Sequence, residues 1–248
     1  MAIQYHKAHT NIVKIHNNLI EAHYKFSREQ QLILLQVAKT LQEEDIFDKA
    51  VHLNTLTYDA RELGDKIGVA DLRNLRGVVR SLQRCIMSYE NLDEQWEEDI
   101  VVFTRGRYIT GGTVEIEVHQ NMLPFFKELH EKFTKLNMKE LVQFKSQYSI
   151  RIYELARQLQ FIKAPHKQEK VYTLDEFQAM VGSNYKTWQH IEHNVLIPAC
   201  EEIINNSRVW VGYEPIKEYA PGQKRGRAGV RKIKLTMLIR ETYQPSLI

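Results

Sequence analysis

Asp71-Leu72-Arg73-Asn74-Leu75-Arg76-Gly77-Val78-Val79-Arg80-Ser81-Leu82-Gln83-Arg84 holds four arginines, and no acid follows Asp71 until Glu90. Asp71 suits a helix N-cap, and the spacing predicts a helix over 72–87. At about 100° per residue, Arg73, Arg76, Arg80 and Arg84 share one face, and Leu72, Leu75, Val79, Leu82 and Ile86 share the opposite one. The aliphatic side belongs to a core. The arginine side meets either water or a polyanion. A solvated face would carry acidic partners three or four residues away, and none is present. In a helix-turn-helix such a helix lies in the major groove, where arginine reads guanine edges. Asn74, beside the arginines, suits an adenine edge or a phosphate.

The flanks supply the rest of that motif. Residues 11–22 read as an extended lead-in. Ser27 and Gln30 form a capping box for a helix running through Leu41, apolar on nearly every side and therefore buried. Val51–Leu56 is a short strand. Thr57 caps a second helix, which Gly68 stops after Ile67. After the arginine helix, Ile100–Thr104 and Thr113–Val118 read as strands joined by a hairpin with a basic tip, Arg105 and Arg107 among Gly106, Gly111 and Gly112. Helix, helix, basic helix, hairpin is the order of a winged helix-turn-helix.

A helix and connector over 119–136 leads to a second copy of the same order. Asn137 caps a long helix over 138–160, with a core stripe of Leu141, Phe144, Tyr148, Ile152, Leu155 and Leu159. Val171–Thr173 is a strand, Leu174–Val181 a helix closed by Gly182, and 184–206 a helix interrupted at Pro198. On that last helix Lys186, Thr187, Gln189, His190, His193 and Asn194 make a donor-rich exposed face, with Glu192 at its margin. Gln and Asn suit adenine edges. His190 and His193 share this face, but no carboxylate or thiolate is spaced to complete a metal site. Val209–Tyr213 and Lys232–Ile239 are strands. The long connection between them carries Lys224, Arg225, Arg227 and Arg231 among glycines that let a phosphate chain approach, and Lys232 continues the basic run at the start of the second strand. The expected class is α+β, two tandem winged helix-turn-helix domains over 1–136 and 137–248.

Composition agrees with this division. The 248 residues suffice for two domains of about 100–150. Residues 1–136 carry 17 Lys and Arg against 20 Asp and Glu, net −3, and residues 137–248 carry 17 against 11, net +6. A small total charge with dense local basic clusters is an electrostatic footprint for nucleic acid. Apolar stretches are far shorter than the roughly 20 residues of a membrane span. Cys85 and Cys200 make no disulfide framework, so a reducing cytoplasm is the expected compartment. Nucleotide-binding loops, serine-nucleophile motifs and the His pair of a DNA-nicking enzyme are absent. No catalytic residue, metal or cofactor is expected.

Three stretches carry a family resemblance. Phe133-Thr134-Lys135-Leu136 through Lys145-Ser146-Gln147-Tyr148-Ser149-Ile150-Arg151-Ile152-Tyr153-Glu154-Leu155 is one. Tyr185-Lys186, Trp188, Ile191, Val195-Leu196, Pro198-Ala199, Glu202-Ile203 and Ser207 form another. Val13, Asn17, Leu19-Ile20-Glu21-Ala22, Phe26-Ser27, Gln30, Leu32 and Leu34 form the third. Together they resemble the iteron-binding plasmid replication initiators, over about 11–240. The resemblance implies two winged-helix domains on origin repeats called iterons. It also implies opening of A+T-rich DNA with the host initiator, loading of the replicative helicase, and a dimer, formed through the first domain, that represses its own promoter from an inverted repeat. Family members often carry Arg or Lys around the positions of Glu192, His193 and Asn194, so base readout here is expected to differ. The competing expectation is a dimeric winged-helix transcriptional repressor without a role in replication.

Overall fold

The computed structural model of the chain describes residues 11–44, 55–91, 96–127, 132–162, 168–219 and 228–240. The lead-in is strand β1 (Ile12–His16) followed by a one-turn helix α1 (Asn17–Glu21). A strap over 22–27 leads to α2 (Arg28–Glu44), whose capping box forms as expected. The Ser27 N–H donates to Gln30 Oε1 at 2.8 Å, and the Gln30 N–H donates to Ser27 Oγ at 3.3 Å. Leu32, Ile33, Leu34, Leu35, Val37, Ala38 and Leu41 of α2 are all buried.

The first winged helix then runs β2 (Thr55–Asp59), α3 (Ala60–Ile67), α4 (Leu72–Ser81), β3 (Ile86–Asn91), β4 (Trp96–Val101), β5 (Phe103–Ile109) and β6 (Thr113–Val118). The cap of α3 is Asp59, two residues beyond Thr57, because Thr57 is held in β2 opposite Glu115. Gly68 ends α3 at φ 68°, a left-handed position that favours glycine. Asp71 caps α4 as expected, accepting from the Arg73 N–H at 2.8 Å. The helix is shorter than the predicted 72–87. Gln30 Nε2 donates to Ser81 Oγ at 2.9 Å, and the chain tightens into a 3₁₀ turn over Leu82–Arg84. From Ile86 onward it is captured by pairing with β4, a hairpin the sequence did not reveal.

A short helix α5 (Leu123–Lys127) leads to β7 (Phe133–Asn137), which pairs antiparallel with β1, Val13 opposite Leu136. The second winged helix comprises α6 (Met138–Leu141), α7 (Gln147–Gln158), β8 (Glu169–Thr173), α8 (Leu174–Val181), α9 (Trp188–Ile191), α10 (Ile197–Asn206), β9 (Val209–Glu218) and β10 (Gly229–Ile239). The single helix expected over 138–160 is therefore broken between α6 and α7. Two tertiary contacts hold the break. Glu202 on α10 accepts from the Lys145 and Ser146 N–H groups at 2.6 and 3.2 Å and from Ser149 Oγ at 2.5 Å. Arg28 donates to the Val142 carbonyl at 2.8 Å and to that of Phe144. The interruption expected near Pro198 takes the form of a π turn, Glu192–Leu196, in which the Ile197 N–H reaches the Glu192 carbonyl. Such a turn accommodates a proline that cannot donate.

Both sheets are wound alike. The strand order is β2-β6-β5 in the first and β8-β10-β9 in the second, all antiparallel. Helix, strand, helix, helix, hairpin is thus repeated, and the fold is α+β with two tandem winged helices. A buried apolar core runs continuously from Val13 in β1 to Met237 in β10. Replacing Glu202 with Ala leaves three donors at the start of α7 without an acceptor, at a cost of about 2 kcal/mol. Urea denaturation is expected to show that loss for Glu202→Ala, with only part of it recovered in Glu202→Gln, whose amide offers a single acceptor oxygen to donors that use both carboxylate oxygens.

Candidate nucleic-acid interface

Leu75, Val79 and Leu82 are fully buried, and that burial turns the opposite side of α4 outward. Arg73, Asn74, Arg76 and Arg80 are all exposed on it, as the sequence predicts. Arg84 is exposed as well, but on the 3₁₀ turn rather than on the α-helical face. Arg73 lies 3.8 Å from Asp71 with its side chain 96% exposed, so the pair is weak. The Arg76 guanidinium stands 5.8 Å from the centre of the Tyr108 ring on β5. Helix and wing touch because of Gly106. A Cβ there would fall 2.2 Å from the Val79 carbonyl oxygen, closer than any side chain allows.

The wing differs from expectation. Its turn is Thr110–Gly112 and has no basic residue. Arg105 and Arg107 lie on β5, where cross-strand pairing brings them opposite acids of β6. Arg105 is 3.6 Å from Glu117 and Arg107 is 3.4 Å from Glu115. The sequence places these acids two residues apart on a strand, but only the strand register shows that they face the arginines. Gly77 is a further position that the arginine pattern does not flag. It sits in the middle of α4, on the arginine side, with nothing within 4 Å of where a Cβ would be.

In the second unit Lys186 precedes the helix and Thr187 is its cap, accepting from the His190 N–H at 3.4 Å. The reading helix therefore starts at Trp188, not 184. Lys186, Thr187, Gln189, His190 and His193 are exposed together. Asn194 is exposed but folds back, its Nδ2 donating to the His190 carbonyl at 2.9 Å. Part of the Asn194 amide is thus spent inside its own helix. Tyr213 on β9 donates its hydroxyl to Glu192 at 3.1 Å, fixing the acid that borders this face. Burial and the Glu192 charge push the Tyr213 hydroxyl up to about 12, so it remains a donor at neutral pH.

The second wing is built of longer strands than predicted, with β9 reaching Glu218 and β10 starting at Gly229. Lys224, Arg225 and Arg227 lie outside the described residues. Arg231 is a strand residue of β10 rather than loop, and Lys232, expected at the start of that strand, lies within it. The register shifts between Val230 and Lys232, which leaves the exposed Arg231 on a bulge. Bulges re-aim side chains. Lys232 is paired with Glu218 at 2.8 Å, and Lys234 is paired with Glu214. Among the described residues no three of His, Cys, Asp and Glu converge as a metal site, and no helix is long and apolar enough to cross a membrane.

Two helix-turn-helix faces, each beside a β-hairpin wing, define a tandem winged-helix DNA-binding protein. Comparison with known families agrees. Residues 12–157 match the family described as "Initiator Replication protein, WH1", and residues 173–237 match "Initiator Rep protein, WH2". The chain belongs to this replication initiator family. It is also similar to a "Replication initiation protein" of Escherichia coli, 28% identical over 107 residues. That match covers 42% of this chain and 34% of the relative.

A glycine inside a helix costs about 0.5–1 kcal/mol relative to alanine. At Gly77 no neighbour in the protein requires the absence of a side chain. Gly77→Ala is therefore expected to raise the midpoint of urea unfolding while weakening DNA binding, since the new methyl group would stand between the arginines and the groove. Titration calorimetry on an origin fragment checks the second half.

Proposed function

We propose that the protein initiates plasmid replication by binding directly repeated origin segments, the iterons, with one reading helix in each of two successive major-groove faces. The observation that carries this reading is the pair of exposed, donor-rich helices, each beside its own wing, in a single chain. In this reading residues 1–136 address one half of the iteron and residues 137–248 the other. The first half presents Arg73, Asn74, Arg76, Arg80 and Arg84. The second presents Lys186, Thr187, Gln189, His190, His193 and Asn194, with Lys224, Arg225, Arg227, Arg231 and Lys232 as phosphate contacts. No chemistry on the DNA is involved. Binding strains a neighbouring A+T-rich segment, whose steps unstack most easily, and the host initiator and replicative helicase complete the opening. A dimer formed through residues 1–136 occupies an inverted repeat and represses the protein's own gene. Family membership supports the replication role, and the two-faced architecture supports tandem recognition.

Footprinting on the DNA flanking the gene tests this. Protection of several direct repeats of about two helical turns is the expected outcome. Protection of a lone palindrome would instead make the protein a dimeric repressor. Within one repeat, Arg76→Ala with Arg80→Ala is expected to relax base preference in one half, and Lys186→Ala with Gln189→Ala in the other. Removing one bidentate hydrogen-bonded base pairing costs about 1–3 kcal/mol. A shared footprint for the two pairs would overturn the division of labour.

The wing behaves differently. Neutralising Lys224, Arg225 and Arg227 together weakens binding to all sequences alike. It also flattens the dependence of log affinity on log salt, by up to about 0.9 for every phosphate that is no longer neutralised. Fluorescence anisotropy across a salt series reads that slope.

A further inference from the structure

Arg151 on α7 is fully buried and bonds to three separate parts of the chain. Its Nη2 donates to the carbonyls of Ile20 at 2.7 Å and Ala22 at 3.1 Å. Its Nε donates to the Met180 carbonyl at 2.8 Å, at the end of α8. Its Nη1 donates to the Tyr24 hydroxyl and the Glu154 carboxylate, and the guanidinium lies 4.0 Å from the centre of the Tyr24 ring. Gly182, at φ 70° in the turn between α8 and the second reading helix, lies so close to the strap that a Cβ there would be 2.6 Å from the Tyr24 carbonyl oxygen. The other edge of the strap belongs to the first unit. His23 and Ser88 exchange N–H···O bonds of 3.0 and 2.9 Å, and Ser88 lies on β3, which follows directly from α4 and its 3₁₀ turn. Glu21 adds hydrogen bonds from Gln158 at 3.0 Å and Lys170 at 2.8 Å.

One buried side chain thus joins the turn that launches the second reading helix to the strap that is hydrogen-bonded behind the first. We propose that Arg151 is a positioning residue that fixes the offset between the two reading helices, so that the protein measures the spacing between the two halves of its DNA site. The inference rests on the reading that both helices engage one site. Arg151 touches no DNA itself. One inserted base pair turns the far half by about 34° and moves it about 3.4 Å. A rigid pair of helices cannot follow that change, and a loosened pair can.

The test uses the full chain and a set of duplexes with zero, one, two or five base pairs inserted between the halves. The wild type is expected to lose about a hundredfold in affinity on the first insertion, equivalent to losing base recognition in one half. Arg151→Lys keeps the charge but cannot reach all the acceptors. Tyr24→Phe keeps the ring and removes only the hydroxyl. Both are expected to lose less than about tenfold on the same insertion while binding each isolated half as the wild type does. If Arg151→Lys does not fold, Tyr24→Phe carries the test. A purely structural role would lower the thermal midpoint and leave the spacing profile unchanged, and that result overturns the proposal. A wild type indifferent to spacing overturns it too, whereas a footprint confined to one half of the uninserted site would overturn instead the two-helix reading on which the proposal stands.

Discussion

A guanidinium taken out of water must have its donors met, since an unpaired buried charge costs several kcal/mol. Arg151 is therefore the constraint around which the two halves of the chain are arranged. The strap over 22–27 has to stay extended, because a helix there would consume the Ile20 and Ala22 carbonyls that Arg151 needs. Burial raises the Glu154 carboxyl above its ordinary value, and the Arg151 charge and the Tyr24 hydroxyl pull it back. The three groups only make sense as a set. Arg28 does the reciprocal job from the other side. It comes from α2 of the first unit and takes the carbonyls of Val142 and Phe144, which the break between α6 and α7 leaves open. Arg28 and Arg151, on α2 and α7, thus each fill unsatisfied backbone of a segment more than a hundred residues away. Backbone carbonyls have fixed positions, so this kind of contact defines orientation more sharply than an apolar interface does.

The sequence makes legible whatever is local. Caps at Ser27, Asp71 and Asn137, stops at Gly68 and Gly182, and the two faces of α4 all follow from residues within a few positions of one another. It conceals what depends on distant partners. The 138–160 stripe is a sound helical pattern, and the break in it is held by remote partners, Glu202 on the Lys145 and Ser146 N–H groups and Arg28 on the Val142 and Phe144 carbonyls. The β1–β7 pair is invisible for the same reason, since register between remote strands leaves little trace in composition. Arg105 and Arg107 look like a free basic tip until pairing brings Glu117 and Glu115 against them.

Those wing acids bear on how the protein discriminates. A net charge of only +3 limits attachment to arbitrary DNA. Four wing cations are paired with acids, Arg105 and Arg107 in one wing and Lys232 and Lys234 in the other, while Arg231 stays exposed on its bulge. The arginines of α4 and the turn after it are arranged otherwise: Arg80 and Arg84 form no ion pair among the described residues, and Arg73 has only a loose one. Under the proposed reading, charge is damped on the wing strands and left open on the helix face that would meet the bases. Such a distribution lowers non-specific affinity more than specific affinity, and the ratio between them is what finds a site among many competitors.

The residues that carry the family resemblance are for the most part not the readers. Ser146 and Ser149 meet Glu202, Tyr153 donates to Glu140 at 2.6 Å, and Arg151 and Glu154 meet the strap. They pin helices to one another and leave the outer faces alone. The exposed positions of the second reading helix, Gln189, His190 and His193, are where this chain departs from or lies outside the shared pattern. A scaffold fixed from within can change its outer side chains without refolding, because none of the pins passes through them. Recognition of the family and recognition of a particular DNA sequence are therefore held by different residues. The same internal pins that make the fold readable in the sequence leave the base sequence it selects unwritten there.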